Sequence, residues 1–319
     1  MKKKVWFITA GSLVLAGCIM FTVALWAVKW DFSKLSTVRY ETNTYEIGKK
    51  FGSISISADT ADIRFVLSGD KKCTVECREE ENAKHSVEVE NDTLVIKSND
   101  SKTWYDYIGI YFGSPKITVY LPETEYGALS VHAATGSVKI PEDFTFTAAD
   151  ISLSTGNADF RANVMETAKI QTATGNISVE NTSVGALDIS ASTGKVTVLN
   201  AVCRENISVK VFTGKVSLTD VSCQNVLSDG TTGEIFLNNV IAAEKISIER
   251  SMGDVNFVGC DAAELDIKTS TGNVIGSVLT EKVFIADTDT GNIDIPETSS
   301  GGKCKIKTGT GSIRITVEN

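Results

Sequence analysis

The sequence predicts an all-β fold, a single-stack parallel β-solenoid (β-helix) of 19–20-residue coils preceded by one N-terminal transmembrane helix. Ten glycines recur at intervals of 19 or 20 residues, Thr precedes nine of them, and apolar residues alternate with polar ones on both sides. Such a period is typical of stacked repeats. We divide the chain into a cytoplasmic stub and signal anchor (1–30), a linker (31–44), irregular β coils that form a cap (45–127) and the regular array (128–319).

The first element is an uncharged, largely apolar run over residues 5–28 that follows three lysines. As a helix it would be about 36 Å long at about 1.5 Å per residue, enough to cross a hydrocarbon core about 30 Å thick. The lysines favour a cytoplasmic N-terminus, which places the rest of the chain outside the cytoplasm. We therefore expect a single-pass protein of the cell membrane.

A lipoprotein is the alternative for this segment. Residues 15–18, Leu-Ala-Gly-Cys, resemble a bacterial lipobox, and cleavage there would leave a lipidated Cys18. Mature lipoproteins continue with polar residues, whereas this chain stays apolar to Trp26. The pattern favours an uncleaved anchor over a cleaved signal peptide.

The region that follows the linker is rich in strands but irregular. Candidate strands are 62–67, 72–77, 86–89, 94–97 and 116–121, and residues 51–56 fit the pattern of a corner at Gly52 with a strand behind it. We expect longer first coils that cap the stack, because an open end exposes unpaired strand edges and apolar core.

Five aromatic side chains stand together in this region: Trp104, Tyr105, Tyr107, Tyr111 and Phe112. One interpretation is a lid that packs over the core, and this is the one we favour. The other is a contact surface for a cell-wall glycan or an envelope protein, since aromatic side chains are enriched at interfaces. These five residues are the candidate partner contacts.

The regular array is read by aligning its corner glycines. They are Gly136, Gly156, Gly175, Gly194, Gly214, Gly233, Gly253, Gly272, Gly291 and Gly311. Apolar residues stand two and, with one exception, four positions after the glycine, and recur mostly five and seven positions before it. Each repeat therefore reads strand, corner, strand and return turn. Two short strands bury an apolar face only when coils stack, each strand pairing in parallel with its equivalent about 4.8 Å along the axis. A β-sandwich is the alternative, but it does not require such even spacing.

Composition excludes several classes of function. Four of the 31 basic residues but none of the 40 acidic ones precede Asp31, so the solenoid is more acidic than the net charge of −9 implies. An acidic surface repels phosphate backbones, and we expect no nucleic-acid partner. Two histidines are too few for a three-histidine metal site. The even coil lengths leave no long loop for an active site, so we expect no catalytic residue, no cofactor and no metal.

The cysteines offer one pair that could approach. Cys203 and Cys223 both stand nine residues after a corner glycine, so they should stack on adjacent coils. A disulfide is permitted by that distance, but two buried thiols are the interpretation we favour. Cys73 and Cys77, about 13 Å apart along one strand, are too distant to bridge.

The Thr-Gly-x-Ile-x-Ile repeats, the lysine-flanked N-terminal helix and the irregular strand-rich start resemble the bacterial "putative adhesin" β-strand-repeat family, a domain of unknown function. The resemblance covers the chain from about residue 40 to its end. It implies a non-enzymatic cell-envelope protein, sometimes found beside envelope-stress signalling systems, that serves adhesion or envelope interaction. The alternatives are a structural scaffold that assembles end to end and, third, a polysaccharide-acting β-helix enzyme.

Overall fold

The computed structural model describes residues 2–27, 29–30, 39–99 and 113–318. One helix, α1 (Lys2–Ala27), precedes 24 strands. The strands of the cap and the first coils are β1 (Tyr40–Ile47), β2 (Ser53–Thr60), β3 (Asp62–Leu67), β4 (Cys73–Glu80), β5 (His85–Glu90), β6 (Thr93–Ser98), β7 (Lys116–Leu121), β8 (Glu125–Thr135), β9 (Val138–Ile140), β10 (Thr145–Thr155), β11 (Ala158–Phe160) and β12 (Asn163–Thr174). The remaining strands are β13 (Ile177–Thr193), β14 (Val196–Cys203), β15 (Asn206–Thr213), β16 (Val216–Thr232), β17 (Ile235–Met252), β18 (Val255–Cys260), β19 (Glu264–Thr271), β20 (Val274–Val278), β21 (Lys282–Thr290), β22 (Ile293–Asp294), β23 (Gly302–Thr310) and β24 (Ile313–Val317).

The predicted parallel β-solenoid is confirmed. Strands that precede the corners pair in parallel with one another, as β10 does with β8 and β12, and strands that follow the corners do the same, as β11 does with β9 and β13. The two ladders enclose one continuous apolar core that runs from the cap to the last coil. Long strands such as β13 contribute to both ladders, because the return turn interrupts them only slightly.

The corner glycines are required by both conformation and space. Gly156 and Gly194 have φ values of +150° and +153°, a region that side chains with a Cβ rarely adopt. A Cβ at either position would lie 1.8 Å from the carbonyl oxygen of the previous corner glycine. The corners therefore stack backbone on backbone, which explains the invariance of the glycine within the array.

The residue after several corners links successive coils. The side-chain oxygen of Asn157 accepts a hydrogen bond from the backbone N–H of Asn176 (2.8 Å), and that of Asn176 accepts one from Lys195 N–H (2.9 Å). These bonds satisfy an N–H that the parallel ladders do not use. Asparagine at this position is thus explained by coil-to-coil bonding as well as by its preference for turns.

A second bend recurs six residues after several corners. Asn181, Asn200, Asp220 and Asn239 all adopt left-handed conformations, with φ between +50° and +53°. Asn200 donates to the side chain of Asn181 at 2.9 Å, and Asn239 donates to Asp220 at 2.7 Å. Asn and Asp tolerate this conformation better than other residues with a side chain. The bend turns the chain a second time within each of these coils.

The sequence pattern places a corner at Gly52, and this is wrong. Strand β2 pairs with β8 so that Thr60 lies beside Thr135, which makes Ala61 the corner beneath Gly136. A methyl group fits at Ala61 because its φ is not left-handed and, among the described residues, no earlier corner lies under it. Strands β6 and β7, which continue the stack beyond this coil, are joined instead through residues 99–115.

The cap, where the sequence predicts longer and irregular first coils, contains antiparallel pairs as well as parallel ones. Strands β1 and β4, β4 and β7, and β5 and β6 pair antiparallel. The β5–β6 hairpin turns at Asn91 and Asp92, both left-handed, which is the turn that suits a two-residue hairpin. Of these three pairs only β5–β6 is a hairpin, whereas β1, β4 and β7 pair across longer stretches of the chain.

The last two coils are exchanged in space. Strand β19 pairs with β23 and β20 pairs with β24, whereas β21 and β22 lie on the far side of β23 and β24. The coil that turns at Gly311 therefore sits between those of Gly272 and Gly291. The last strand of the chain, β24, therefore does not present a free edge, because it is paired on both sides, and the coil of Gly291 forms the end.

Six of the seven cysteines are buried, and all seven are free. Burial raises the pKa of Cys203 to about 12 and that of Cys223 to about 11.

Threonines three residues before several corners are also buried, and Thr308 donates to the carbonyl of Gly272 at 2.9 Å. Arg250 occupies the same inward position beside Gly230, whose missing side chain leaves room for it, and donates to Val211 O at 2.7 Å.

Helix α1 contains a segment, Lys4–Ala27, that is long and apolar enough to cross a membrane by length and composition. A signal sequence at the same place in a chain would have these properties too.

Candidate functional site

The aromatic residues proposed as partner contacts, Trp104, Tyr105, Tyr107, Tyr111 and Phe112, lie outside the described residues. Both interpretations of that stretch, lid and contact surface, stay predictions. The segment connects β6 to β7, which places its two attachment points in the cap.

The cap also carries a hollow of about 720 Å³ that the sequence did not indicate. Three connections surround it: the link from β1 to β2, the turn before β4, and the link from β7 to β8. Its lining residues are Glu46, Ile47, Gly48, Lys49, Lys50, Phe51, Lys71, Lys72, Cys73, Pro122, Thr124 and Tyr126. Residues far apart in sequence meet here because β1, β4 and β7 are neighbours in one ladder.

The floor of the hollow is apolar and aromatic. The rings of Phe51 and Tyr126 stack with centroids 6.1 Å apart, and Tyr126 in turn contacts Phe146 of the core at 5.9 Å. The Tyr126 hydroxyl donates to Pro122 O at 2.8 Å, and burial raises its pKa. Tyr126 thus ties the floor both to the core and to the link between β7 and β8.

The rim of the hollow is basic. Lys49, Lys50, Lys71 and Lys72 are exposed, and none forms an ion pair within the described part of the chain. Glu46 is the one acidic residue of the lining. Four lysines against the single carboxylate of Glu46 in the lining give the rim a local positive charge, which attracts anions.

The turn that carries two of these lysines is ordered by Asp70. Its carboxylate accepts hydrogen bonds from Ser68 Oγ at 2.6 Å and from the backbone N–H of Lys72 at 3.1 Å. These bonds, that of Ser68 first, lower the pKa of Asp70. Lys71 in this turn is left-handed, with φ of +60°.

The hollow suits binding better than chemistry. Its only thiol, Cys73, has a pKa that burial raises to about 12, so the nucleophilic thiolate is absent at neutral pH. Glu46 has no second carboxylate beside it in the lining, and glycoside hydrolysis uses two. A cationic rim over an apolar floor matches a ligand that has an anionic head and an apolar part.

One cluster in the described residues has the donor set of a metal site. Ligand atoms of Cys77, Glu79 and His85, all buried, lie within 4.8 Å of one another. However, His85 Nδ1 and Glu79 Oε2 are 2.6 Å apart, whereas two ligands of one zinc ion at about 2.0 Å would be about 3.3 Å apart. Glu79 also accepts from the His85 backbone N–H (2.6 Å) and from Asn43 (2.7 Å). The contacts are those of a hydrogen-bonded structural cluster, and burial, with Glu79, raises the pKa of Cys77 to about 12.

Sequence reasoning missed the hollow, although a signal was present. Two Lys-Lys pairs, 49–50 and 71–72, interrupt a strongly acidic domain. Nothing in the sequence shows that the two pairs meet, since that depends on the antiparallel pairing within the cap.

Comparison with known proteins gives one family and several structures. The model of the family described as Toastrack DUF4097 matches residues 51–204 and 201–319. A search of curated proteins found no match. A crystal structure described as a putative adhesin from Parabacteroides distasonis is 12% identical, with a TM-score of 0.47, and the match covers 88% of this chain and 98% of that one. A putative adhesin from Parabacteroides merdae is 12% identical, with a TM-score of 0.32 and coverage of 88% and 95%. A putative lipid binding protein from Parabacteroides distasonis is 14% identical, with a TM-score of 0.28 and coverage of 88% and 98%.

Proposed function

Because this chain belongs to the Toastrack DUF4097 family, whose model matches it from residue 51 to 319, we propose that it is an adhesin-like binding protein of the cell envelope. In this proposal helix α1 holds the protein at the cell membrane as a single-pass anchor, and the solenoid lies outside the cytoplasm. The solenoid has no enzymatic activity. Through the hollow of the cap it binds an anionic amphiphile, which we take to be an anionic phospholipid of a facing membrane.

One observation carries this proposal: four lysines that form no ion pair within the described residues surround an aromatic floor. Lysine ammonium groups act as point charges toward phosphate, and their effect is strong at low ionic strength. Phe51 and Tyr126 offer apolar surface to the part of the ligand next to its charged head. A purely polar anion would use the rim alone and leave this floor wet.

The anchor is supported by the composition of helix α1. Its apolar segment carries no acidic residue, and three lysines precede it against one, Lys29, that follows it. Positive flanking residues stay on the cytoplasmic side, so the solenoid would emerge on the other side. Protease added outside intact cells should therefore degrade the solenoid, whereas protection of the whole chain would contradict this orientation.

The binding proposal is tested with the full chain in nanodiscs of phosphatidylcholine, mixed with separate vesicles and floated on a density gradient. We expect flotation with vesicles that contain phosphatidylglycerol and not with vesicles of phosphatidylcholine alone. The double variant Lys49→Glu/Lys71→Glu should lose most of this binding, because it converts a field that attracts phosphate into one that repels it.

The matched control is Lys195→Glu/Lys303→Glu, which changes two exposed lysines of the array by the same charge. It should bind as the unaltered protein does. Equal loss in both double variants would show that only net charge matters, and equal flotation with neutral and anionic vesicles would remove the case for an anionic ligand.

A further inference from the structure

The exchange of the last two coils leaves an unusual end to the solenoid. Strand β21 (Lys282–Thr290) pairs with β23 on one side only. Among the described residues no strand lies on its other side, so a row of backbone N–H and C=O groups faces outward. An unpaired edge of this kind is a template for another strand.

The end coil is apolar on both faces. At the outward position six residues before the corner, most coils carry a polar or charged residue: Ser130, Asp150, Lys169, Asp188, Ser208, Ser247, Asp266 and Lys305. The end coil has Ile285 there, 48% exposed, with Val283 two residues earlier at 37%. Phe284 and Ala286, which alternate with these two residues, face the core but are only partly buried, because no further coil covers them.

A hollow of about 650 Å³ opens beside this strand. It is lined by Phe284, Ile293, Asp294, Ile295, Pro296, Glu297, Thr298 and Ser299. Phe284 and Ile295 pack against the core, so the hollow is the exposed end of the core itself. It has the surface that each internal coil buries against the next.

The opposite end of the stack is protected in a way that this end is not. Its outermost strands, β1 and β5, carry charged residues along the edge: Glu41 and Glu46 in the first, Glu88 and Glu90 in the second. Charged edge strands discourage pairing with another chain. Strand β21 has charged residues only toward its ends, at Lys282, Asp287 and Asp289, and its middle, 283–286, is apolar.

Residues 31–38 and 100–112 are too short to reach the open end. The first segment is attached to β1 and the second to β6 and β7, and these three strands belong to the cap at the opposite end of the stack. Eleven coils at about 4.8 Å separate the ends by on the order of 50 Å. A 13-residue segment anchored at both ends extends about 23 Å at most, at about 3.5 Å per residue.

We propose that the open end binds a second copy of this chain, with the two β21 strands antiparallel about a two-fold axis near Ile285. Side chains of each face then meet those of the same face: outward Ile285 lies beside its equivalent, and inward Phe284 lies beside Ala286 of the second copy. The two ladders and the two cores become continuous across the axis, so the interface repeats the coil-to-coil contact that the fold already uses. A two-fold contact closes on itself and yields dimers, not filaments.

The charges around this end give the interaction a distinctive salt dependence. Asp289 and Glu297 form no ion pair within the described residues, so two copies bring like charges together. At 0.1 M salt, repulsion between charges more than about 10 Å apart is largely screened. Self-association should therefore strengthen as ionic strength rises, whereas binding of an anionic ligand to the cap should weaken.

The test is sedimentation of the full chain in detergent micelles over a wide concentration series, at low and high salt. We expect a monomer–dimer equilibrium that shifts toward the dimer at high salt. Ile285→Lys should raise the dimer dissociation constant at least about tenfold, because it places an unpaired charge from each copy in an apolar contact.

The matched control is Leu227→Lys. Leu227 occupies the same position of a central coil and is 46% exposed, against 48% for Ile285. It should leave the equilibrium unchanged. A protein that is monomeric at every concentration, or a dimer that Ile285→Lys leaves as strong as before, would overturn the proposal. Either result would leave vesicle binding by the cap unaffected, since the two surfaces lie at opposite ends.

Discussion

The corner glycine sets the spacing of the array. Its φ near +150° and the 1.8 Å approach of a hypothetical Cβ to a backbone carbonyl leave no side chain an acceptable position. The neighbouring Asn and Asp side chains then bond from coil to coil. One position thus determines the height of a coil and the register of both its strands.

Gly194→Ala tests this at a corner in the middle of the array. Left-handed backbone costs a residue with a side chain about 1–3 kcal/mol, and the clash with Gly175 O adds to it. We expect loss of at least about 3 kcal/mol in urea unfolding, or failure to fold. Gly69→Ala is the control, because a Cβ there meets nothing within 4 Å. Equal stability of both variants would contradict the stacking of corners.

The buried thiols give a dependence on pH. Burial raises the pKa of Cys203 to about 12 and of Cys260 to about 11, from 9.0. A thiol with a raised pKa stabilises the fold fully below pH 9.0, and this stabilisation is lost as pH rises through the folded pKa. The unfolding temperature should therefore fall above pH 9, and Cys203→Ala/Cys260→Ala should reduce that fall. A fall of the same size in the double variant would contradict the assignment.

At the scale of elements, the cap and the last coils depart from simple repetition. The cap uses antiparallel pairs where the array uses parallel ones, and this brings three connections together around the basic hollow. The exchanged coils place β24 between β20 and β22. Both of the surfaces proposed for binding arise from these departures, whereas the regular coils between them are alike.

Engineered disulfides test the exchange. Ile275 of β20 is the direct neighbour of Arg314 of β24, and all three side chains of Ile275, Arg314 and Asp294 are exposed. Ile275→Cys/Arg314→Cys should form a disulfide on oxidation, because paired parallel strands bring Cα atoms to about 4.8 Å. Ile275→Cys/Asp294→Cys should not, since β24 lies between. Bonding in the second variant only would show that the coils stack in sequence order.

The sequence was a good guide to some elements and a poor one to others, for physical reasons. Strands β3 and β7 begin and end where their apolar alternation predicts, at 62–67 and 116–121. Gly52 imitates a corner because Ser-Ile-Ser-Ile follows it, yet register depends on the whole strand and selects Ala61. The exchange cannot be read from a repeat, because coils with the same pattern fit each other equally well in either order.

At the scale of the molecule, the solenoid is a rod whose two ends differ. The end that contains β1 carries a basic hollow with an aromatic floor, and the other end presents an unpaired strand with an apolar middle within an acidic rim. In the proposed arrangement the first surface meets an anionic lipid and the second meets another copy. The rod would then hold these two contacts on the order of 50 Å apart at about 4.8 Å per coil.

The central claim is that the cap binds an anionic amphiphile, and hydrogen–deuterium exchange locates that binding most directly. The full chain in phosphatidylcholine nanodiscs would be compared with and without vesicles that contain phosphatidylglycerol. We predict slower exchange over residues 46–51, 71–73 and 122–126, with the array from residue 138 to 278 unchanged. Slower exchange along the array, or no change at the cap under conditions in which the vesicles bind, would contradict the account.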